Sequence, residues 1–252
     1  MKQQIIRLLP AFVTSALILL WQIIVRLADI PLYILPAPAD VIRALFLERH
    51  SLLTHSWVTV SEALLGMAIA VLLALVLGVM MDAFGSFKAC IYPLLVVTQT
   101  VPVIVLAPIF IIYLGFGLAP KILTVVLMCF FPVVISFTDG MAAIKRSYIN
   151  LLRSFGAGNR QVYLLVKFPA AFPSFITGLK VAATYSISGA VVGEWIAAQS
   201  GLGYYMIRVK NGYMMDKVFA CVVIIILLSL LMNKAVLLLK YLVMPYTRKH
   251  KI

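Results

Sequence analysis

The sequence predicts an all-helical protein that crosses a membrane six times, and three observations carry that prediction. First, 64% of its 252 residues are hydrophobic and 12% are charged, with a mean hydropathy of +1.10. Soluble chains average about a quarter charged residues, so the bilayer is the solvent this composition fits. Second, six windows are long and apolar enough to cross roughly 30 Å of hydrocarbon: residues 8–27, 57–81, 89–114, 122–137, 170–196 and 218–239. Third, the net charge of +13 is distributed unevenly between the connecting segments. With the N-terminus inside, the inner segments hold Lys2, Arg7, Lys88, Lys145, Arg146, Arg153, Arg160, Lys167, Arg248, Lys249 and Lys251. The outer ones hold fewer basic residues: Arg43, Arg49, Lys121, Arg208, Lys210 and Lys217. The excess of lysine and arginine on the cytoplasmic side therefore places both termini in the cytoplasm. It also explains the charge by contact with anionic lipid headgroups rather than nucleic acid.

The first window is flanked by Lys2 and Arg7 without a small-residue cleavage site after it, which reads as a retained helix. After it, Pro36-Ala37-Pro38-Ala39-Asp40 opens a short helix from Val41 to about Arg49, with proline and aspartate suited to a helix start. Its apolar side carries Val41, Ala44, Leu45 and Phe46, as expected of a helix lying in the outer interface. The chain divides into this N-terminal part, 1–56, and a core, 57–252, that contains a cytoplasmic loop at 141–168.

The second window carries small residues every four positions, Gly66, Ala70, Ala74 and Gly78, continued by Glu62 and Asp82. The fifth repeats the pattern with Gly178, Ala182, Ser186 and Ala190, ending on Glu194. Lipid gives helices no hydrophobic reason to associate, so such stripes mark close backbone approach, and these residues are candidates for helix packing and the translocation path. The third window contains Pro93, Pro102 and Pro108, which remove backbone donors and predict kinks or a discontinuous helix. Cys90, Cys129 and Cys221 fall inside windows without clustered partners and read as buried apolar thiols. Glu194 has three readings: capping a loop, pairing with Arg208 or Lys210, or contacting a partner outside. Lys180 is expected to snorkel to the inner headgroups.

The most informative stretch is the polar, basic island at 150–173. Met141 to Phe155 reads as a short helix closed by Gly156, since glycine tolerates the left-handed conformation that ends helices. Asn159 suits the cap of a second helix carrying Val162, Leu165 and Val166, before Pro169 and the fifth window. Two short helices meeting at a glycine elbow make a compact knob.

Asn150, Leu151 and Leu152, then three residues, Gly156 with Ala157 after it, Val166, one residue, and Phe168-Pro169: this spacing resembles the coupling loop of ABC importer permeases. That loop reads Glu-Ala-Ala, three residues, Gly, nine residues, Ile, one residue, Leu-Pro, so Asn150, Leu151 and Leu152 stand at the Glu-Ala-Ala positions. Further matches to the nitrate, sulfonate, taurine and thiamine-precursor branch are Leu35-Pro36-Ala37-Pro38, Leu106-Ala107-Pro108, Gly115-Phe116-Gly117, Phe130-Phe131-Pro132, Gly178 to Ala182, Val192-Gly193-Glu194 and Gly201-Leu202-Gly203. The resemblance implies the type I importer permease (MetI-like) fold and a homodimer with a path between two copies. It also implies ATPase subunits seated on the 141–168 loop, and a solute-binding protein outside. It implies a small polar or anionic solute, with Trp21-Gln22 and Ile34-Leu35-Pro36 closest to thiamine-precursor permeases.

Enzyme readings fare poorly. The chain has no phosphate-cradling Gly-x-x-x-x-Gly-Lys-Ser/Thr loop, so ATP must be bound by another subunit and no cofactor or metal is expected here. His50, His55 and His250 fall outside the windows, where no intramembrane dyad or metal site can form. Asp139-Gly140-Met141-Ala142 resembles the opening of a phosphatidyltransferase motif, but Ile144 stands where arginine is needed. A stand-alone secondary transporter or channel is the alternative, disfavoured by the lack of an internal repeat and the few intramembrane charges.

Overall fold

Backbone groups in lipid have no water to bond, so a chain this apolar must satisfy them within helices. The computed structural model describes residues 2–243, and for 2–8, 11 and 197 the backbone alone. Among the described residues every regular element is helical. In order these are α1 (Lys2–Leu27), α2 (Pro38–Leu47), α3 (Arg49–Ala83), α4 (Gly85–Thr98), α5 (Val103–Leu114), α6 (Leu118–Ala142), α7 (Arg146–Ser154), α8 (Asn159–Val162), a π-helical turn (Tyr163–Lys167), α9 (Phe168–Ala197), α10 (Leu202–Asn211) and α11 (Met215–Val243).

Four stretches, α3, α6, α8 through α9, and α11, are each long and apolar enough to cross the membrane. A fifth crossing is α4 with α5, bent by 101° at the break between Thr98 and Val103. Pro102 caps the second half, so the discontinuity expected from the prolines falls there. The apolar part of α1 with described side chains, Phe12–Leu27, is shorter than these. Six crossings are reached only when it is counted. The C-terminal basic residues Arg248, Lys249 and Lys251 lie outside the described residues.

α3 is longer than its apolar window. Its 35 residues rise about 50 Å at 1.5 Å each, more than the hydrocarbon requires, and its first two turns carry His50 and His55. These histidines therefore sit in a helix rather than an outer loop, and the division expected at 56/57 falls inside α3. Lys121 is likewise no loop residue, because α6 begins at Leu118 and carries it into the interior, where it is 6% exposed. Cys129 and Cys221 are buried, but Cys90 is exposed on α4, which buries no residue fully.

The core is organised on α6, which lies between α3 and α9 and packs more extensively on each than they do on one another. Both small-residue stripes are buried against it. A Cβ on Gly66 would collide with Val125, and one on Gly78 with Phe137. On α9, a Cβ on Gly178 would stand 2.5 Å from the Pro132 carbonyl oxygen and 2.7 Å from the Ser136 Cβ. Ala70, Ala74, Ala182, Ser186 and Ala190 are fully buried, and the Cys129 thiol donates to the Ala182 carbonyl at 3.3 Å. Small residues of α3 thus receive the bulky Val125 and Phe137 of the central helix, while Gly178 of α9 lies against its backbone at Pro132.

A second, smaller cluster ties the N-terminal part to the core through Val41, Ala44, Leu52, Leu202, Tyr205 and Cys221. α2 starts at Pro38, three residues before the expected Val41, and ends at Leu47: the proline is in its first turn and the Asp40 carboxylate accepts the Ala37 N–H at 3.1 Å. Gln22 of α1 accepts the Ala39 N–H at 3.0 Å, and Arg26 reaches Asp40 at 3.0 Å. Val41 and Ala44 face inward, whereas Phe46 is exposed. At the α2–α3 junction Lys217 donates to Glu48 at 2.5 Å, which holds that carboxyl below its ordinary value.

Gly178→Ala should destabilise the folded protein by about 1–3 kcal/mol through overpacking of the α6–α9 contact. Gly85→Ala, with nothing within 4 Å of the added methyl, should be neutral by comparison. Thermal unfolding of both variants in the same detergent checks this, and equal midpoints would contradict the assigned seam.

Candidate functional site

Between α6 and α9 the chain leaves the bundle, turns at residues 143–145, and forms α7, which buries none of its residues fully. Its sequence is two-faced at helical spacing. Tyr148, Leu151 and Phe155 form an exposed apolar edge, while Arg146, Ile149, Asn150 and Arg153 line a cavity on the opposite side. Of the three residues at the head of the coupling pattern, Asn150 faces that cavity, Leu151 lies on the exposed edge, and Leu152 is half-buried.

The helix closes through two bonds that only a left-handed residue permits. Ala157 N–H bonds to the Leu152 carbonyl at 3.1 Å and Gly156 N–H to the Arg153 carbonyl at 2.9 Å, with Gly156 at φ +83°. The glycine elbow read from the sequence is therefore present. The next helix starts one residue earlier than expected: Gly158 occupies the cap position, and its N–H is accepted by the Gln161 side chain at 2.9 Å. Asn159 becomes the first helical residue and accepts from Arg153 at 3.3 Å.

From Asn159 the helix runs without a break to Ile196, 38 residues, through the π-helical turn at Tyr163–Lys167. This turn is held to the end of α3 by Asp82. Lys167 forms an ion pair with Asp82 Oδ2, and the Tyr163 hydroxyl donates to the same oxygen at 2.6 Å. Behind it Phe168 stacks on Phe137 with ring centroids 6.2 Å apart. Val166 and Phe168 are half-buried and Pro169 is exposed in the first turn of α9. The latch was not read from the sequence, where Asp82 showed only as the end of a small-residue stripe. No local signal links residue 82 to residue 167.

At the other end of α9, Glu194 is 2% exposed and completes a cap for α10. The three successive N–H groups at the start of that helix have no intrahelical acceptor. Gly201 N–H bonds to His55 Nδ1 at 3.1 Å, Leu202 N–H to Thr59 Oγ1 at 2.8 Å, and Gly203 N–H to Glu194 Oε2 at 2.5 Å. The Thr59 hydroxyl donates in turn to Glu194 Oε1 at 2.7 Å. Of the three readings for Glu194, loop capping is the one its contacts show. Gly201 sits at φ +109°, and a Cβ there would overlap the Glu194 carboxyl, so this close approach requires glycine. Beside the cap, buried Lys121 pairs with buried Glu62. Lys180 is half-buried on α9.

A cavity of about 570 Å³ opens where α4 bends into α5 against α6 and α9, and Thr98, Gln99 and Tyr185 bring polar groups to its otherwise apolar wall. The polar run at 98–100 beside Pro102 was its only sequence signal. The packing-stripe residues Gly66, Ala70, Ala74, Gly78, Gly178, Ala182, Ser186 and Ala190 are buried within the bundle and do not line this cavity.

Residues 66–248 match the family model of the binding-protein-dependent transport system inner membrane component. The chain belongs to this family. It is similar to the formylaminopyrimidine transport permease protein ThiX of Halalkalibacterium halodurans, 34% identical over 99% of this chain and 100% of that protein. It is also similar to the putative aliphatic sulfonates transport permease protein SsuC of Bacillus subtilis, 28% identical over 92% of this chain and 84% of that one. Among solved structures the inward-facing MetNI methionine ABC transporter shares the fold, with a TM-score of 0.54 at 16% identity over 76% of this chain and 95% of that one. The protein is thus the permease subunit of an ABC importer, with the MetI-like fold, in the branch that its sequence pattern indicated. ABC permeases of this kind transport without carrying out the ATP hydrolysis themselves.

Removing the Asp82 latch should loosen the permease. Asp82→Ala leaves Lys167 and Tyr163 without their acceptor and should cost about 1–3 kcal/mol, with Tyr163→Phe costing less. Asp82→Ala combined with Lys167→Met should recover part of the loss, because no unpaired buried charge remains. Unfolding midpoints of the single and double variants test the coupling, and strictly additive losses would refute it.

Proposed function

We propose that the permease works as a homodimer in the inner membrane, with both termini cytoplasmic, and imports a small polar solute delivered by an extracytoplasmic solute-binding protein. An ATPase subunit would seat on the α7 knob. The observation that carries this reading is the knob itself: an exposed apolar edge of Tyr148, Leu151 and Phe155, at the end of a short helix closed by Gly156. A helix presenting apolar anchors at this spacing fits a groove in a partner. Closure of two ATPase subunits on ATP would draw two knobs together, and the unbroken helix from Asn159 to Ile196 would carry that movement across the bilayer. ATP stays with the partner, and this chain contributes no catalytic residue.

The transport path would run along the face where α4 bends into α5. Thr98, Gln99 and Tyr185 give that cavity hydrogen-bonding groups without a charge, which suits a polar heterocycle more than a strong anion. The full-length similarity to a formylaminopyrimidine permease supports a thiamine-precursor pyrimidine as cargo over a sulfonate, nitrate or taurine.

Gly156→Val tests the knob. Nothing lies within 4 Å of an added Cβ there, so the substitution acts through the left-handed backbone, at about 1–2 kcal/mol. The variant should insert and remain helical but lose the ATPase on affinity purification from gently solubilised membranes. Gly158→Ala, in equally open space without a positive φ, should retain it. An ATPase held equally by both variants and the parent would remove the coupling assignment, and a pure homomer in every case would favour a stand-alone transporter.

A further inference from the structure

The apolar edge of α7 has a counterpart on its reverse side. There a cavity of about 440 Å³ lies between α7, the first turns of the helix that follows Gly158, and the end of α3. Its charged lining is Arg146, Arg153, Lys167 and Asp82, three cations against one carboxylate. That carboxylate is paired within the latch, because Lys167 and the Tyr163 hydroxyl both converge on Asp82 Oδ2. The two arginines are left over. Among the described residues Arg146 has no hydrogen-bond or ion-pair partner, and Arg153 has only the neutral Asn159 side chain at 3.3 Å.

Arg146 and Arg153 are seven residues apart, two turns on one face of α7, so both guanidinium groups serve the same cavity. Like charges placed together are unfavourable unless an anion lies between them, and planar guanidinium forks match the oxygens of a phosphate in bidentate geometry. Asn150, one turn from each arginine, adds an uncharged donor to the same wall. A carboxylate ligand would need one arginine, whereas two arginines and an amide around a single cavity fit the several oxygens of a phosphate group. The cavity adjoins Asp82 and Ala83 at the end of α3, where that apolar helix stops.

We propose that the cavity under α7 binds a phosphate group, supplied by an anionic lipid headgroup or by a soluble phosphate. The anion bridges α7 to the Asp82–Lys167 latch and stiffens the knob from beneath while its other edge stays free. The lipid source rests on the cytoplasmic placement of this end proposed above; binding of the phosphate itself does not.

The test is a titration of the purified full-length chain in detergent, in phosphate-free buffer, with three probes: inorganic phosphate, dioctanoyl-phosphatidylglycerol and zwitterionic dioctanoyl-phosphatidylcholine. Saturable binding of one of the first two is expected, weakened about tenfold or more by Arg146→Gln and by Arg153→Gln, and unchanged by Arg43→Gln in α2. Binding of inorganic phosphate identifies a soluble anion as sufficient, and binding of phosphatidylglycerol alone identifies the headgroup. Circular dichroism confirms that the variants are folded, and Asn150→Ala gives a milder second perturbation in which weaker binding is again expected. No saturable binding to either anionic probe, or equal binding by parent and arginine variants, overturns the proposal. Arginine variants that bind both probes normally but lose the ATPase would place these side chains at the subunit interface and overturn it too. Because the titration contains no ATPase, its failure is distinct from failure of the coupling assignment.

Discussion

Close approach of α3 and α9 to α6 is the constraint on which the rest of the molecule depends. In lipid, helices gain little from burying apolar surface against each other, so association rests on van der Waals contact that small residues make possible. Gly66 and Gly78 on one side and Gly178 on the other leave room for less than a methyl group between backbones and neighbouring side chains. The bulk beside Gly66 and Gly78 comes from α6, whose Val125 and Phe137 are buried against them. One continuous helix carries the knob at one end and Glu194 at the other.

The two ends are held by different chemistry. At the knob, the helix passes through a π-helical turn and is fixed by Asp82, a single carboxylate serving a lysine and a tyrosine. Extra residues in a helical turn are commonly found at functional positions, and here the turn lies where the knob joins the membrane part. At the opposite end, His55, Thr59 and Glu194 accept the N–H groups of Gly201, Leu202 and Gly203 where α10 begins, so the first amides of that helix are satisfied by side chains. The helix from Asn159 to Ile196 is thus held at both ends by polar contacts and packed along its length by glycine and alanine.

The bend between α4 and α5 gives the bundle its concave wall. A turn of 101° frees backbone groups that a straight helix would satisfy, and such irregular backbone at membrane depth is tolerated where it lines a cavity. The polar side chains nearest the break, Thr98 and Gln99, face that cavity. The break beside Pro102 therefore leaves Thr98 and Gln99 on the wall of this cavity.

The sequence by itself determined the helical class, the discontinuity near Pro102, the elbow at Gly156 and the family. Each depends on features local to the chain: hydropathy over about twenty residues, a missing backbone donor, a φ that only glycine adopts freely, and motif spacing. It also marked both stripes as packing surfaces, but not that α6 would receive them, because the bulky partner in such a contact carries no periodic signature of its own. Only the tertiary structure decided that Lys121 is interior, that Glu194 caps α10, that Asp82 latches Lys167, and that α7 turns its arginines away from its apolar edge and into a shared cavity. These contacts join residues 59, 135 or 85 positions apart, and no local pattern of residue types encodes a pairing that exists only once the helices have been brought side by side.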